Sequence, residues 1–406
     1  KEIPLSSWQG RFEWVEEPQA SPDGESVAAI VKVAAGAFNV CVNGETWPDG
    51  FDKIWYLRYS PDGRLTAIVS QDGEWTVAVD GAAWENRFGY VWNTLFSADG
   101  RHIAVAFQQD MTYGMACDDI PWGQTFPNLT NPMISRSDGQ TAAVVQVEPL
   151  SEGEIHKYQQ GIYTAAIGGA PWEQRFVNVW KTSFSPDGRS LAAEVRLNLY
   201  DYTIAVDAVP WGQTFGCVWE PAFNPMSGKV VAPVRIQGKW TLAEDGQLIW
   251  EQRFVQLWHA QFSPDGKRLA AIVAPQFGRW TVAVDGVPWK ATVGEMVTDA
   301  LFSADGARVA AVVKDRGRWG LAVDGRIWQN TFDMAWKPVF SPDGSRLAAK
   351  VQRNGKYTVA VDNRLWPHEC DMAWDPVFSP DGGKLLLRTV ENGVYFRRVL
   401  PIADIT

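Results

Sequence analysis

The chain has 406 residues, 46% of them hydrophobic, with 37 Lys and Arg against 47 Asp and Glu and a formal net charge of −10. That acidic balance argues against a nucleic-acid binder, which needs clustered cations, and the short runs Lys314-Asp-Arg316-Gly-Arg318 and Arg397-Arg398 read as solvated faces. Cys41, Cys117, Cys217 and Cys370 form no Cys-x-x-Cys, which argues against a disulfide framework, a zinc site or an iron–sulfur cluster, and no apolar run of about 18 residues signals a membrane helix.

From the N-terminus onward the elements come in a repeating order. A tryptophan returns about every 39 residues, at Trp8, Trp47, Trp84, Trp122, Trp172, Trp211, Trp250, Trp289, Trp328 and Trp366, and self-similarity at such a period predicts a repeat architecture. Each is followed by Ser-Pro-Asp-Gly or a near relative, with turn glycines at Gly24, Gly63, Gly100, Gly139, Gly188, Gly228, Gly266, Gly306, Gly344 and Gly382. The third predicted strand of every unit opens on an aromatic: Phe38, Trp75, Tyr113, Tyr163, Tyr202, Trp240, Trp280, Trp319, Tyr357 and Tyr395. Seven units carry a further tryptophan in the first strand: Trp55, Trp92, Trp180, Trp219, Trp258, Trp336 and Trp374.

The fourth unit breaks the pattern with extra length between its second and third strands, from Val147 to Gly161. Insertions of this kind map to loops on one face, often the binding face, so Glu148, Glu152, Glu154, His156, Lys157 and Tyr158 are the candidate partner contacts. The stretch from Trp258 to Trp289 shows a regular unit. Trp258 to Phe262 alternates into the turn Ser263-Pro-Asp-Gly266, and Arg268 to Val273 reads as a buried strand. Trp280 to Val284 presents one apolar face, Asp285-Gly286 signals a hairpin, and Val287-Pro288 suits an edge strand. Four short antiparallel strands in that span make one propeller blade. After Tyr395 the last unit lacks an edge tryptophan, and Trp8-Gln-Gly-Arg11-Phe12 matches Trp250-Glu-Gln-Arg253-Phe254. The expectation is therefore an all-β, single ten-bladed β-propeller of four-stranded blades. One domain would cover 1–406, its closing blade shared by about 1–12 and 374–406. Two smaller propellers or an open arc are the alternatives.

The Phe-Ser-Pro-Asp-Gly-x-x-Leu-Ala unit resembles the WD40-like repeat of the TolB-type propellers along the whole chain. The variant Trp-Glu-x-Arg-Phe at 84–88, 172–176 and 250–254, the segment Trp-Thr-Val-Ala-Val-Asp-Gly, and the opening Ile3 to Trp14 are similar to a narrower family. This is the tryptophan-rich, TmcD-type subunit of the Tmc transmembrane redox complexes of sulfate-reducing bacteria. The resemblance implies a cofactor-free accessory subunit on the cytoplasmic side, peripheral to the inner membrane through its partners. Those partners are a multihaem cytochrome, a membrane cytochrome b and an iron–sulfur protein. No site residue is carried over from it.

Candidate chemistry on the chain itself is sparse, and no catalytic, cofactor-binding or metal-binding residue is assigned. Haem attachment needs Cys-x-x-Cys-His, whereas His368-Glu-Cys370 runs the other way. The docking motif and paired cysteines of quinoprotein dehydrogenases are missing, and no Gly-x-Ser-x-Gly elbow occurs. His102, His156, His259 and His368 share no repeat position, and His259, in an innermost strand, reads as a polar lining of a central channel. The recurring aspartates read as turn residues rather than calcium ligands. Twenty-two tryptophans read as packing, two rows of indoles filling the wedges between blades, each worth about 4–6 kcal/mol at most. The expected role is a scaffold rather than an enzyme. The alternative is a binding module that captures a peptide or small ligand at its central channel.

Overall fold

The computed structural model describes residues 1–405. As the repeat period predicts, the chain is an all-β propeller of ten four-stranded antiparallel blades, with the first strand broken into two pieces in three of them. In the regular unit the strands run Gln256–Phe262, Leu269–Gln276, Arg279–Val284 and Val287–Pro288. Two polar turns fix their ends. Ser263 Oγ donates to Asp265 Oδ1 at 2.6 Å, closing the first turn. The backbone N–H of Leu269 donates to Asp285 Oδ1 at 2.8 Å, tying the second turn to the start of the second strand. The same Ser-to-Asp bond recurs at Ser21, Ser60, Ser97, Ser185, Ser303, Ser341 and Ser379. The turn aspartates therefore spend their carboxylates on hydroxyls and backbone, as turn chemistry requires.

Two compact units divide the chain, Pro4–Thr214 and Phe215–Thr406 with Lys1–Ile3. In the second, the outer strand of the last blade is the N-terminal strand Glu2–Pro4, paired with Val394–Pro401. Arg397 N–H donates to Lys1 O at 2.9 Å, and the Lys1 amino group returns a bond to Arg397 O at 3.1 Å. Trp8 then lies buried in a short helix, Ser6–Arg11, immediately after that strand.

Apolar side chains collect between neighbouring blades. Ala270, Ile272, Val282 and Val284 of one blade pack with Val297, Ala300, Val309, Ala311 and Val313 of the next, and Trp258, Trp280 and Trp289 flank them. The edge tryptophans fill these wedges by lying on the Asp-Gly or Asn-Gly turn of the following blade. Trp47 covers Gly81, where an added Cβ would come to 3.1 Å of the indole, and Trp289 covers Gly325 in the same way at 3.2 Å. Both glycines have positive φ, so the turn needs glycine twice over, for its backbone and for the ring above it. The phenylalanine closing each Trp-Glu-x-Arg-Phe segment has its own task. Phe88, Phe176 and Phe254 are buried and bridge, backbone to backbone, to Trp75, Tyr163 and Trp240 at the start of the third strand.

The second tryptophan row combines its expected wedge-filling role, seen where Trp92 and Trp258 pack against the clusters between blades, with a contact inside its own blade. Each of the seven first-strand indoles meets the third-strand aromatic of its own blade, one stacked, three tilted and three edge-on, with centroids between 4.6 Å (Trp55–Trp75) and 6.1 Å (Trp92–Tyr113). None is fully buried, because the first strand lies at the open end of the blade sheet and has a partner on one side only.

Candidate functional site

The insertion in the fourth blade folds back on the protein. Its residues include a six-residue helix, Ile155–Gln160, that the sequence does not announce. Tyr158 Oη donates to Asn178 Oδ1 at 2.7 Å and accepts from an Arg196 Nη at 2.6 Å, which pins the helix to the fifth blade. The Arg196 guanidinium lies over Tyr158, Trp180 and Tyr202, each within 6.0 Å of a centroid. Glu148 pairs with Arg175. Lys157 pairs with Glu154 at 2.6 Å, and Lys157 and Ser151 together hold the Glu154 carboxyl down at about 2. Of the six candidate contacts, Glu148, Glu154, Lys157 and Tyr158 are thus engaged within the chain. Ile155, exposed on the same helix, carries no polar signal and was not among them.

Two blades of the first unit carry a more exposed aromatic surface. Trp55 and Trp75 lie 4.6 Å apart, Tyr90 of the next blade stands 5.6 Å from Trp75, and Tyr90–Trp92 and Trp92–Tyr113 continue the row at 6.0 and 6.1 Å. Trp55 is 46% exposed and Tyr90 40%, so two rings of the row meet solvent, and Tyr56, next to Trp55 in the chain and under the Arg58 guanidinium, is 52% exposed. Gln108, paired across the sheet with Tyr90, reaches the sulfur of exposed Met111.

Local backbone geometry explains why Tyr56 points outward. The first strand of several blades bulges after its second or third paired residue, and the bulge residue takes positive φ: Tyr56, Asn93, Asn131, His259 and Asp299. Asn131 Nδ2 donates to Trp180 O of the next blade at 2.5 Å, and His259 Nε2 lies 3.2 Å from Ala300 O. His259, read from the sequence as a channel-lining residue, is in this way a link between adjacent first strands.

A third cluster escapes any spacing motif. His102, at the start of the second strand of the third blade, faces Asp118 across the hairpin, Nδ1 to Oδ2 at 2.7 Å. Cys117, the last residue of the third strand, places Sγ 3.8 Å from Asp118 Oδ2 and 3.5 Å from Gly139 O. Ligating atoms of the three residues all lie within 4.8 Å of one another. Burial, then the Asp118 carboxylate beside it, push the Cys117 thiol up to about 12. Beside the cluster, a groove of about 390 Å³ is bordered by Arg64, Trp84, Ile103 and Asp118.

The basic runs are tied up in ion pairs: Lys314 with Glu295, Arg318 with Asp333, and Arg398 with Glu391. No helix among the described residues is long and apolar enough to cross a membrane.

No family model matches this sequence, and no curated protein matches it. Among solved structures the chain is similar to dihydro-haem d1 dehydrogenase NirN in complex with DHE, at 15% identity over 79% of this chain and 74% of that one, with a TM-score of 0.37. At that identity and score the similarity bears on no residue of the sites described above.

Proposed function

We propose that the protein is an accessory subunit that works by docking other proteins, in the manner of the tryptophan-rich subunits of transmembrane redox complexes that its repeat resembles. The observation that carries the reading is the aromatic row on the second and third blades, with Trp55, Tyr90 and the neighbouring Tyr56 open to solvent. Exposed, rigid aromatics are what the centres of protein interfaces are built from, and a monomer gains nothing by leaving them in water. Lys53 beside Trp75 and Arg58 beside Tyr56 give them charged neighbours. The protein's partners are then iron–sulfur and cytochrome subunits, and the chain reaches the membrane through them.

The test is a pull-down of the native protein from its own membranes, with a visible spectrum of the eluate. Wild type brings down haem- and iron–sulfur-bearing subunits, and the doubly substituted Trp55→Ala, Tyr90→Ala protein emerges without them while still unfolding cooperatively, at a melting temperature lowered by the lost contacts with Trp75. A wild-type protein that emerges alone and colourless overturns the reading, and ligand capture then takes its place.

A further inference from the structure

The geometry assigns a divalent transition-metal site, of the zinc class, to His102, Cys117 and Asp118. The other blades place different residues at the same positions. Where the third blade has His102, four others carry an arginine: Arg64, Arg268, Arg308 and Arg346. Three of those guanidiniums, on Arg64, Arg268 and Arg308, clamp blade to blade, whereas Arg346 pairs with Asp362 of its own hairpin. Arg308 pairs with Asp324 at 3.0 Å and donates to Gly344 O and Ser345 O of the following blade at 3.2 and 3.0 Å. Arg268 does the same with Asp285, Gly306 O and Ala307 O. Where the third blade has Cys117, the corresponding strands end in Val79, Val284, Val323 and Val361.

Two coordinated departures therefore meet at one point. Imidazole is too short to repeat the clamp, and His102 reaches only Asp118. The following blade closes over it, since Gly139 packs against the imidazole so tightly that no Cβ would fit there. Cys117 replaces a valine that would be equally at home in the wedge, and it directs Sγ toward the same carboxylate and toward Gly139 O. Asp118 is half committed: Oδ1 accepts the Ile103 N–H at 2.8 Å, as in every such turn, and Oδ2 faces the histidine and the thiol.

Nitrogen, sulfur and oxygen in one cluster suit a borderline ion such as Zn(II) and do not suit Mg(II) or Ca(II), which take oxygen shells. Tetrahedral bonds of about 2.0–2.3 Å place ligand atoms about 3.3–3.7 Å apart. The Cys117–Asp118 spacing of 3.8 Å is already close to that. The 2.7 Å His102–Asp118 contact opens by a small side-chain rotation as the ion enters between them. Both side chains are more than a third exposed, so the ion reaches them from solvent and water fills its fourth position. On binding, the Cys117 S–H proton leaves to solvent and a thiolate–metal bond forms. The ion then stiffens the edge of the third blade, where the arginine clamp is missing.

The experiment is a Co(II) titration of the full chain, purified without a histidine tag and kept reduced, followed by absorbance. One equivalent is expected to produce both a thiolate-to-metal charge-transfer band in the near ultraviolet and visible ligand-field bands, and Zn(II) then displaces it. Cys117→Val, which restores the residue of the other blades, abolishes the charge-transfer band. His102→Arg, which restores their clamp, abolishes binding and keeps the melting temperature. A reduced wild-type chain that shows no charge-transfer band overturns the assignment. So does a Cys117→Val chain that keeps it, because the sulfur ligand would then be another cysteine.

Discussion

Single residues in this fold are constrained by whatever lies in the next blade. Gly81 illustrates it: φ is +90°, and a Cβ would meet Trp47 at 3.1 Å, whereas Gly73, also at positive φ, has open space around it. Replacing Gly81 by Ala is expected to cost about 1–3 kcal/mol, combining backbone strain with the displaced indole, and Gly73→Ala to cost less because it bears the strain alone. Urea unfolding of the two variants measures the difference, and equal losses would mean that the indole yields freely. The turn aspartates carry a second residue-scale consequence. Ser263 and the Lys267 backbone hold Asp265 down at about 2, and Ser341 and Ser345 hold Asp343 at about 2. Asp99, Asp187, Asp305 and Asp381 shift the same way, each chiefly through its turn serine. A carboxyl whose folded value lies below its ordinary value of about 3.9 adds stability that is complete above that value and vanishes as pH falls through the folded one. The melting temperature is therefore expected to drop as pH goes from about 4 to about 2, and Asp265→Asn to flatten the drop. A melting temperature indifferent to pH in that window would remove these turns from the account.

At the scale of elements, the insertion behaves as an appendage held by polar contacts, Glu148 to Arg175 at its start and Tyr158 on its helix. Its helix has no buried residue, and Tyr158 holds it to Asn178 and Arg196. Because loop length costs little and nothing in the blade core depends on that helix, deleting 149–159 is expected to leave folding intact. The same deletion abolishes complex assembly if the segment contacts a partner, and native gels of membranes carrying the variant read that out. Normal assembly would confine docking to the aromatic row. Tyr158→Phe is the finer probe. It removes the hydroxyl that joins Arg196 to the helix, and faster hydrogen exchange is expected in 155–160 with the rest of the chain unchanged. Legibility divides along the same line. The Ser-Pro-Asp-Gly turns and edge tryptophans follow from period and turn chemistry, so a single chain reveals them, whereas the bulges of the first strands break the alternation read there and show only in the register. The inserted helix has neither period nor a side-chain cap, and the Tyr158 contacts with Asn178 and Arg196, made across two blades, hold it in place.

Across the whole molecule, repetition makes the blades readable and hides the sites. Fifteen residues separate His102 from Cys117, a distance with no meaning until the hairpin register sets Ala104 opposite Cys117. The aromatic row mixes the two cases: Trp55 shares its position with six other first-strand tryptophans, whereas Tyr90 stands where other blades carry Lys53, Asn128, Asn178, Gln256 or Met296, and its stacking on Trp75 shows only once the blades pack. What remains singular is the pairing of the chain's two ends. The strand Glu2–Pro4 covers the outer edge of Val394–Pro401, and Ile3 is the buried residue of that strand. A repeat protein is stable as a sum of neighbour contacts, so losing one short strand should leave the other blades folded. It also bares a row of unpaired backbone groups, a template for another chain. Ile3→Asp, a charge placed where the strand must be buried, is therefore expected to lower the melting temperature modestly and to cause concentration-dependent association in light scattering. A monodisperse variant with the wild-type melting temperature would show that the last blade does not depend on the N-terminal strand.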